Sequence, residues 1–228
     1  MRPVLSVIIP VLREAAVIND IIFHLKATEE ALPTEVIVVD GSPAGDTLSA
    51  VAGKGVVKIR CAPGRGSQMN AGAAAASGEI LLFLHADTKL PAGAGSRIAA
   101  LCDDPAVAGG AFDLVIDSPR PVFRVIEKAA SLRSRATRIP YGDQAIFIKA
   151  VVFHSIGGFR HIDIMEDIDL MQRLKRRRYR IRFADAPVRT SPRRWEKEGV
   201  LYTTIRNWIL STLFYLGASP DRLKRYYR

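Results

Sequence analysis

The sequence predicts an α/β fold: an open, mostly parallel, twisted sheet flanked by helices, with a helical extension at the C-terminus. Three observations carry that prediction. Residues 1–90 alternate short apolar runs with longer amphipathic segments in a β-α-β-α-β rhythm. The apolar runs are nearly continuous, as strands covered by helices on both faces must be. Apolar residues make up 48% of the 228 and charged residues 25%, which suits one substantial core.

Taken in order, LSVII (5–9) reads as the first strand. The helix after it sets Val17, Ile18, Ile21, Ile22 and Leu25 on one face. EVIVV (35–39) and VVKIR (56–60) are the second and third strands, the alanine-rich stretch 66–77 is a helix, and EILLFL (79–84) is the fourth strand. Parallel pairing of these strands requires right-handed crossovers. Beyond Asp87 the rhythm loosens. VAGGAFDLVI (107–116) reads as a strand with a glycine kink, 121–135 as a helix and AIFIK (145–149) as a strand. EDIDLMQRLKRRR (166–178) begins acidic and ends basic, matching the helix macrodipole at both ends. The last section repeats apolar residues at 201, 205, 208, 209, 213 and 216, a helical spacing, with Gly217 as its cap and Pro220 after it.

Two cysteines far apart, Cys61 and Cys102, read as free thiols in a reducing compartment. The opening MRPVLSVIIPVLRE is apolar but too short to span a bilayer, is interrupted by Pro10, and lacks a small-residue cleavage site, so it reads as a strand. The expected location is cytoplasmic, with the inner face of the membrane as an optional attachment. The net charge of +10 is uneven: residues 171–228 hold 16 Lys/Arg against 4 Asp/Glu, and the first 170 hold 17 against 19. That quarter suits phosphates, an anionic membrane surface or nucleic acid, and equally a solvated basic face.

Ligands of open parallel sheets bind beyond the carboxyl ends of the strands. The first strand here releases Pro10 through Glu14, the second Asp40-Gly41-Ser42, the third Gly64-Arg65-Gly66-Ser67 and the fourth His85-Ala86-Asp87. Three exits carry a carboxylate, and the other carries an arginine in a glycine-rich turn. GRGSQ matches neither GxxxxGK nor GxGxxG, so it reads as an anion-binding helix start or as a plain turn. An acid such as Asp40 can accept hydrogen bonds from a base or ribose, and Asp87 can hold a divalent cation bridging phosphates. Each is also suited to capping a helix, and Glu166-Asp167 to complementing a helix dipole.

The ordered series SVIIPVLRE, VIVVDGS, GRGSQMNAGAAAASGEILLFLHADT, GGF and MEDIDL resembles the family 2 glycosyltransferases of GT-A fold, nearest to small bacterial members bearing LLFLHADT. The resemblance runs through residues 4–185. It implies an inverting transferase using a nucleotide-diphosphate sugar, most often UDP-linked, with Mn2+ or Mg2+. The chain reads as one domain, 1–190, with a nucleotide-binding half at 1–90 and an acceptor half at 91–190, followed by a basic amphipathic helical extension at 191–228. Carried over, Pro10, Leu12 and Glu14 border the base, Asp40 bonds to it, and Arg65 approaches the nucleotide. His85-Ala86-Asp87 takes the place of the DxD motif, with Asp87 as metal ligand and His85 as a second candidate. Glu166-Asp167 matches the ED pair, with Asp167 as the general base. Gly157, Gly158 and Phe159 shape the sugar and acceptor pocket, beside Gly142, Asp143 and Gln144.

Two departures stand out. DGSPAGDT has Gly45 where the family carries an acid, and His85 replaces the first acid of DxD. An imidazole there favours transition metals over Mg2+, or bonds to ribose instead. Arg193-Arg194-Trp195 loosely resembles the QxxRW element of processive relatives, with Arg194 and Trp195 as its site residues, or belongs to a plain basic loop. The C-terminal helix is either packed core or an interfacial helix serving a lipid-linked acceptor. A sugar-1-phosphate nucleotidyltransferase is disfavoured because PVLREA lacks a glycine-rich lysine loop. A non-catalytic nucleotide or anion-binding module remains, but a nucleic-acid partner leaves the acids at the strand exits unexplained.

Overall fold

The computed structural model describes residues 4–28 and 32–227. In chain order the elements are β1 (Leu5–Val11), α1 (Ile18–Ala27), β2 (Thr34–Asp40), α2 (Asp46–Ala50), β3 (Val56–Arg60), α3 (Arg65–Ala75), β4 (Ile80–Phe83) and β5 (Thr88–Lys89). They continue with α4 (Ala94–Cys102), β6 (Val107–Ile116), α5 (Pro121–Thr137), a 3-10 turn (Gly142–Gln144), β7 (Phe147–Lys149) and α6 (Ala150–Ser155). The chain ends in α7 (Glu166–Arg176), β8 (Arg180–Thr190), α8 (Arg193–Glu198), α9 (Val200–Tyr215) and α10 (Pro220–Lys224).

The described strands form one sheet in the order β3-β2-β1-β4-β7-β6-β8-β5. Strands β1 to β4 are mutually parallel, as the early apolar runs predict. β7 is antiparallel to both neighbours, β6 and β8 are parallel, and β5 closes the far edge antiparallel to β8. The register of β1 sets the site: Val11 faces Asp40 of β2, and Ile8 faces Phe83 of β4. The exits of these three strands therefore open on one rim.

Side chains along β1 alternate between two cores. Val7, Ile9 and Val11 pack with Ile18, Ile21, Leu82, Leu84 and Phe112 on one face. Ile8 packs with Ile37, Val39, Met69, Phe83 and Phe159 on the other. Burial on both faces is why these strands carry so few polar residues. The glycine kink expected in 107–116 is a close approach instead. A Cβ on Gly110 would lie 1.8 Å from the Arg182 carbonyl oxygen, so only glycine lets β6 sit between β7 and β8.

Several elements differ from the sequence expectation. β8 is a full strand of 11 residues where none was assigned. The short helices α2, α4, α6, α8 and α10 also lie outside it, and α3 ends at Ala75 and α7 at Arg176. Gly217 ends α9 with φ +94°, as expected, but the chain then turns into α10.

Candidate active site

Asp40 ends β2 fully buried, with Oδ1 accepting the Ser42 N–H at 2.7 Å and Oδ2 the Leu48 N–H at 3.4 Å. Its carboxylate thus organises the turn into α2, whose N-cap position is Gly45. Gln68 of α3 joins the neighbouring exits, its Nε2 donating to the carbonyls of Val11 at 2.7 Å and Val39 at 2.8 Å. The Glu14 N–H donates to Thr47 Oγ1 at 3.1 Å, fastening the first exit loop to α2. Pro10 is half-buried in β1, and Leu12 stands half exposed on the rim.

The loop after β4 presents His85, Ala86 and Asp87, all partly buried. Burial pushes the Asp87 carboxyl above its ordinary range; Arg193 opposes that shift and Glu14 adds to it. Arg193 Nη2 lies 2.8 Å from Glu14 Oε1 and 3.5 Å from Asp87 Oδ2, while Nη1 donates to Glu14 Oε2 at 3.0 Å. One guanidinium from the far end of the chain thus stands between two carboxylates from different strand exits. His85 is neutral at physiological pH, since burial, helped by Arg65 and Arg194, pushes its pKa down to about 3.

Arg65, at the start of α3, is half exposed, and its Nη1 lies 3.7 Å from Oε1 of buried Glu166. Asp167, beside it at the start of α7, is fixed by backbone amides. Its Oδ2 accepts the Gly142 N–H at 2.6 Å, and Oδ1 accepts the Ile168 N–H at 2.7 Å. A Cβ on Gly142 would lie 2.9 Å from His85 Nε2 and 3.4 Å from Asp167 Oδ2, so Gly142 is the wedge between the two motifs. Burial, followed by the charge of Asp167, raises the Glu166 carboxyl, with Arg65 opposing. Burial also pushes Asp143 up to about 6, against the pull of Arg133 and with the push of Asp167 and Asp87. The structure therefore gathers Glu14, Arg65, His85, Asp87, Asp143, Glu166 and Asp167 at one cleft, where displaced carboxyl pKa values concentrate as they do at functional sites.

Other expected residues sit behind this cleft. Gln144 is buried and pins the 3-10 turn, donating to the Phe112 carbonyl at 2.9 Å and Ser134 Oγ at 3.0 Å. Gly158, at φ +63°, leaves room for Asn70, which bonds the backbone N–H of Phe159 at 2.9 Å and its carbonyl at 2.8 Å. Gly157 shares the positive φ, and the Phe159 ring turns into the core against Phe83, with centroids 4.9 Å apart. Arg194 bonds Tyr227 Oη at 2.6 Å. Trp195 packs edge-on to Phe123 at 6.0 Å and donates to Thr204 at 3.3 Å. Gln68 and Asn70 are not singled out in the sequence, and Arg193 is read there only as the first residue of the loose QxxRW match, with no partner assigned. Gln68 and Asn70 lie within the recognised GRGSQMN stretch, whereas Arg193 meets Glu14 across 179 positions and leaves no local trace.

The family profile described as Glycosyl transferase family 2 matches residues 6–166. The chain belongs to the family 2 glycosyltransferases. Its fold is that of GT-A enzymes, and its chemistry is glycosyl transfer. The mannosyltransferase PcManGT from Pyrobaculum calidifontis, solved in complex with GDP-Man and Mn2+, superposes with TM-score 0.67 at 22% identity, over 99% of this chain and 68% of that one. TarS residues 1–349 from S. aureus gives TM-score 0.64 at 18% identity, over 99% of this chain and 69% of that one. At these identities the likeness is one of fold. No curated protein gives a significant match.

Proposed function

We propose that this family 2 member moves a sugar from a nucleotide-diphosphate donor, with UDP favoured, to an acceptor hydroxyl with inversion at the anomeric carbon. Residues 1–90 hold the nucleotide and 91–190 receive the acceptor. Pro10, Leu12, Glu14 and Asp40 border the base, and Arg65 approaches the diphosphate. Asp167 takes the acceptor proton on a carboxylate oxygen as that hydroxyl attacks the anomeric carbon. The bond to the diphosphate breaks on the opposite side, and its electron pair leaves on the diphosphate.

The observation that carries this reading is the pinning of Asp167 by the Gly142 N–H at 2.6 Å, with His85 on the other side of Gly142. A base held by backbone amides keeps its aim without side-chain reorganisation.

Among the described residues no group of three or more His, Cys, Asp or Glu is disposed to cage a metal. Mg2+-type ions instead use one or two carboxylates and complete their shell from substrate phosphates and water. Asp87 fits that role, with neutral His85 as a second donor, and the pair of carboxylates facing Arg193 marks a place where positive charge is welcome. A bound Mn2+ or Mg2+ would neutralise the departing diphosphate. The Pyrobaculum neighbour, solved with GDP-Man and Mn2+, keeps GDP beside UDP among the donors to assay.

Asp167→Asn tests the proposal, because the amide oxygen can still accept from Gly142. Transfer should fall at least about 100-fold while nucleotide affinity stays within about threefold. Retained turnover would remove Asp167 as the base.

A further inference from the structure

Helix α9 is built inside out. Its outward residues are Leu201, Tyr202, Ile205, Trp208, Ile209 and Leu213, with Leu216 just beyond its end; Leu201 is 73% exposed, Trp208 52% and Leu216 79%. At 100° per residue they cover roughly 140° of arc, with Thr212 the exposed polar residue among them. Its inward residues include Thr203, Arg206 and Ser211, all buried. Arg206 is the single charged residue of the helix, and it is turned onto Glu198 and over the Tyr202 and Tyr227 rings. The water-facing side of a 16-residue helix thus carries no charge at all. Solvation alone cannot account for an apolar surface this continuous, which marks an interaction site.

We propose that α9 lies flat in an anionic phospholipid surface, with its outward face among the acyl chains. Charge on the neighbouring elements selects this occupant. α10 packs Leu223 against Leu210 on the buried side of α9 and exposes Arg222 and Arg225. Residues 171–228 hold 16 Lys/Arg against 4 Asp/Glu. A symmetric dimer through α9 would bring two such basic quarters together, whereas anionic headgroups are attracted by them. Trp208 and Tyr202 supply amphipathic rings suited to the headgroup boundary. No helix among the described residues is long and apolar enough to cross a membrane, and α9 at 16 residues suits the surface instead.

Flotation of the full chain tests this with vesicles of phosphatidylcholine alone and of phosphatidylcholine with an equal part of phosphatidylglycerol. The chain should float with the mixed vesicles and at least tenfold less with phosphatidylcholine alone. The triple variant Trp208→Ser, Ile209→Ser, Leu213→Ser should lose at least tenfold of that binding. Arg222→Glu with Arg225→Glu should weaken it and reduce its salt sensitivity. Nucleotide-induced thermal stabilisation should be unchanged in every variant, which separates this proposal from that of the transfer site. A chain that stays in the aqueous fraction with both vesicles overturns the proposal. So does a triple variant that floats like the parent. Sedimentation showing a dimer that the triple variant dissolves, without vesicle binding, assigns the face to a second copy and overturns it as well.

Discussion

At the cleft, single side chains are held by charges that arrive from distant parts of the chain. Glu14 and Asp87 come from separate strand exits, and one nitrogen of Arg193 lies 2.8 Å from the first and 3.5 Å from the second. Without a cation there, two carboxylates leaving a sheet on the same rim would repel one another. Asp143 has a weaker counter-charge. Burial pushes it up to about 6, with Asp167 and Asp87 adding to the shift, so its carboxyl holds a proton more tightly in the folded chain than in the unfolded one. Its penalty is therefore absent well below pH 4, grows as pH rises through that window to about 6, and is fully present above it. Asp143→Asn should accordingly raise the melting temperature by a few degrees at pH 7, with the gain fading toward pH 4. Melting curves of variant and parent across that range check it. Glu166 shifts in the same direction in both proteins, so the difference between them isolates Asp143. A loss of stability independent of pH would contradict this account.

Among elements, those that were legible in the sequence are the ones whose burial follows a simple period. β1, β2 and β4 are apolar on both faces and α1 shows one buried stripe, so periodicity identifies them, whereas α7 is legible from its acidic start and basic end. β8 escaped because RIRFADAPVRT exposes Arg180, Arg182, Asp185 and Arg189 and shifts register beside Pro187. Its apolar residues pair with β6 over a long sequence distance that no local pattern reports. α9 was legible as a helix but not in its orientation. Of its two readings the packed core fails, because the apolar positions 201, 205, 208, 209, 213 and 216 are the exposed ones. β6 makes the sharpest structural prediction. A methyl on Gly110 meets the Arg182 carbonyl oxygen at 1.8 Å and the Phe147 ring at 2.7 Å, so β6 and β8 must part to admit it. Gly110→Ala should cost at least about 2 kcal/mol in urea unfolding. An unchanged midpoint would mean that the strands yield without losing their pairing.

For the molecule as a whole, a parallel sheet brings its strand exits to one rim, and the C-terminal segment returns across that rim. Of the carboxylates at the exits, Glu14 and Asp87 meet at Arg193, Asp40 is turned onto backbone amides, and Asp167 is held by Gly142 beside His85. Other expected site residues are structural in contact: Gln144 and Phe159 face the interior, where a motif match cannot distinguish a pocket wall from its support. The basic C-terminal quarter contributes Arg193 to the cleft and α9 to the surface, two roles that net charge alone does not separate.

The central claim is that the rim at Asp87 binds a nucleoside diphosphate with a divalent cation. Thermal unfolding with UDP or GDP, with and without Mn2+, in the parent and in Asp87→Ala, tests it most directly. Ligand at a hundredfold excess over Kd should stabilise the parent by about 2.7 kcal/mol, a shift of roughly 5–11 °C. That shift should require the cation and vanish in Asp87→Ala. Equal stabilisation without the cation, or with Asp87 removed, would contradict the account.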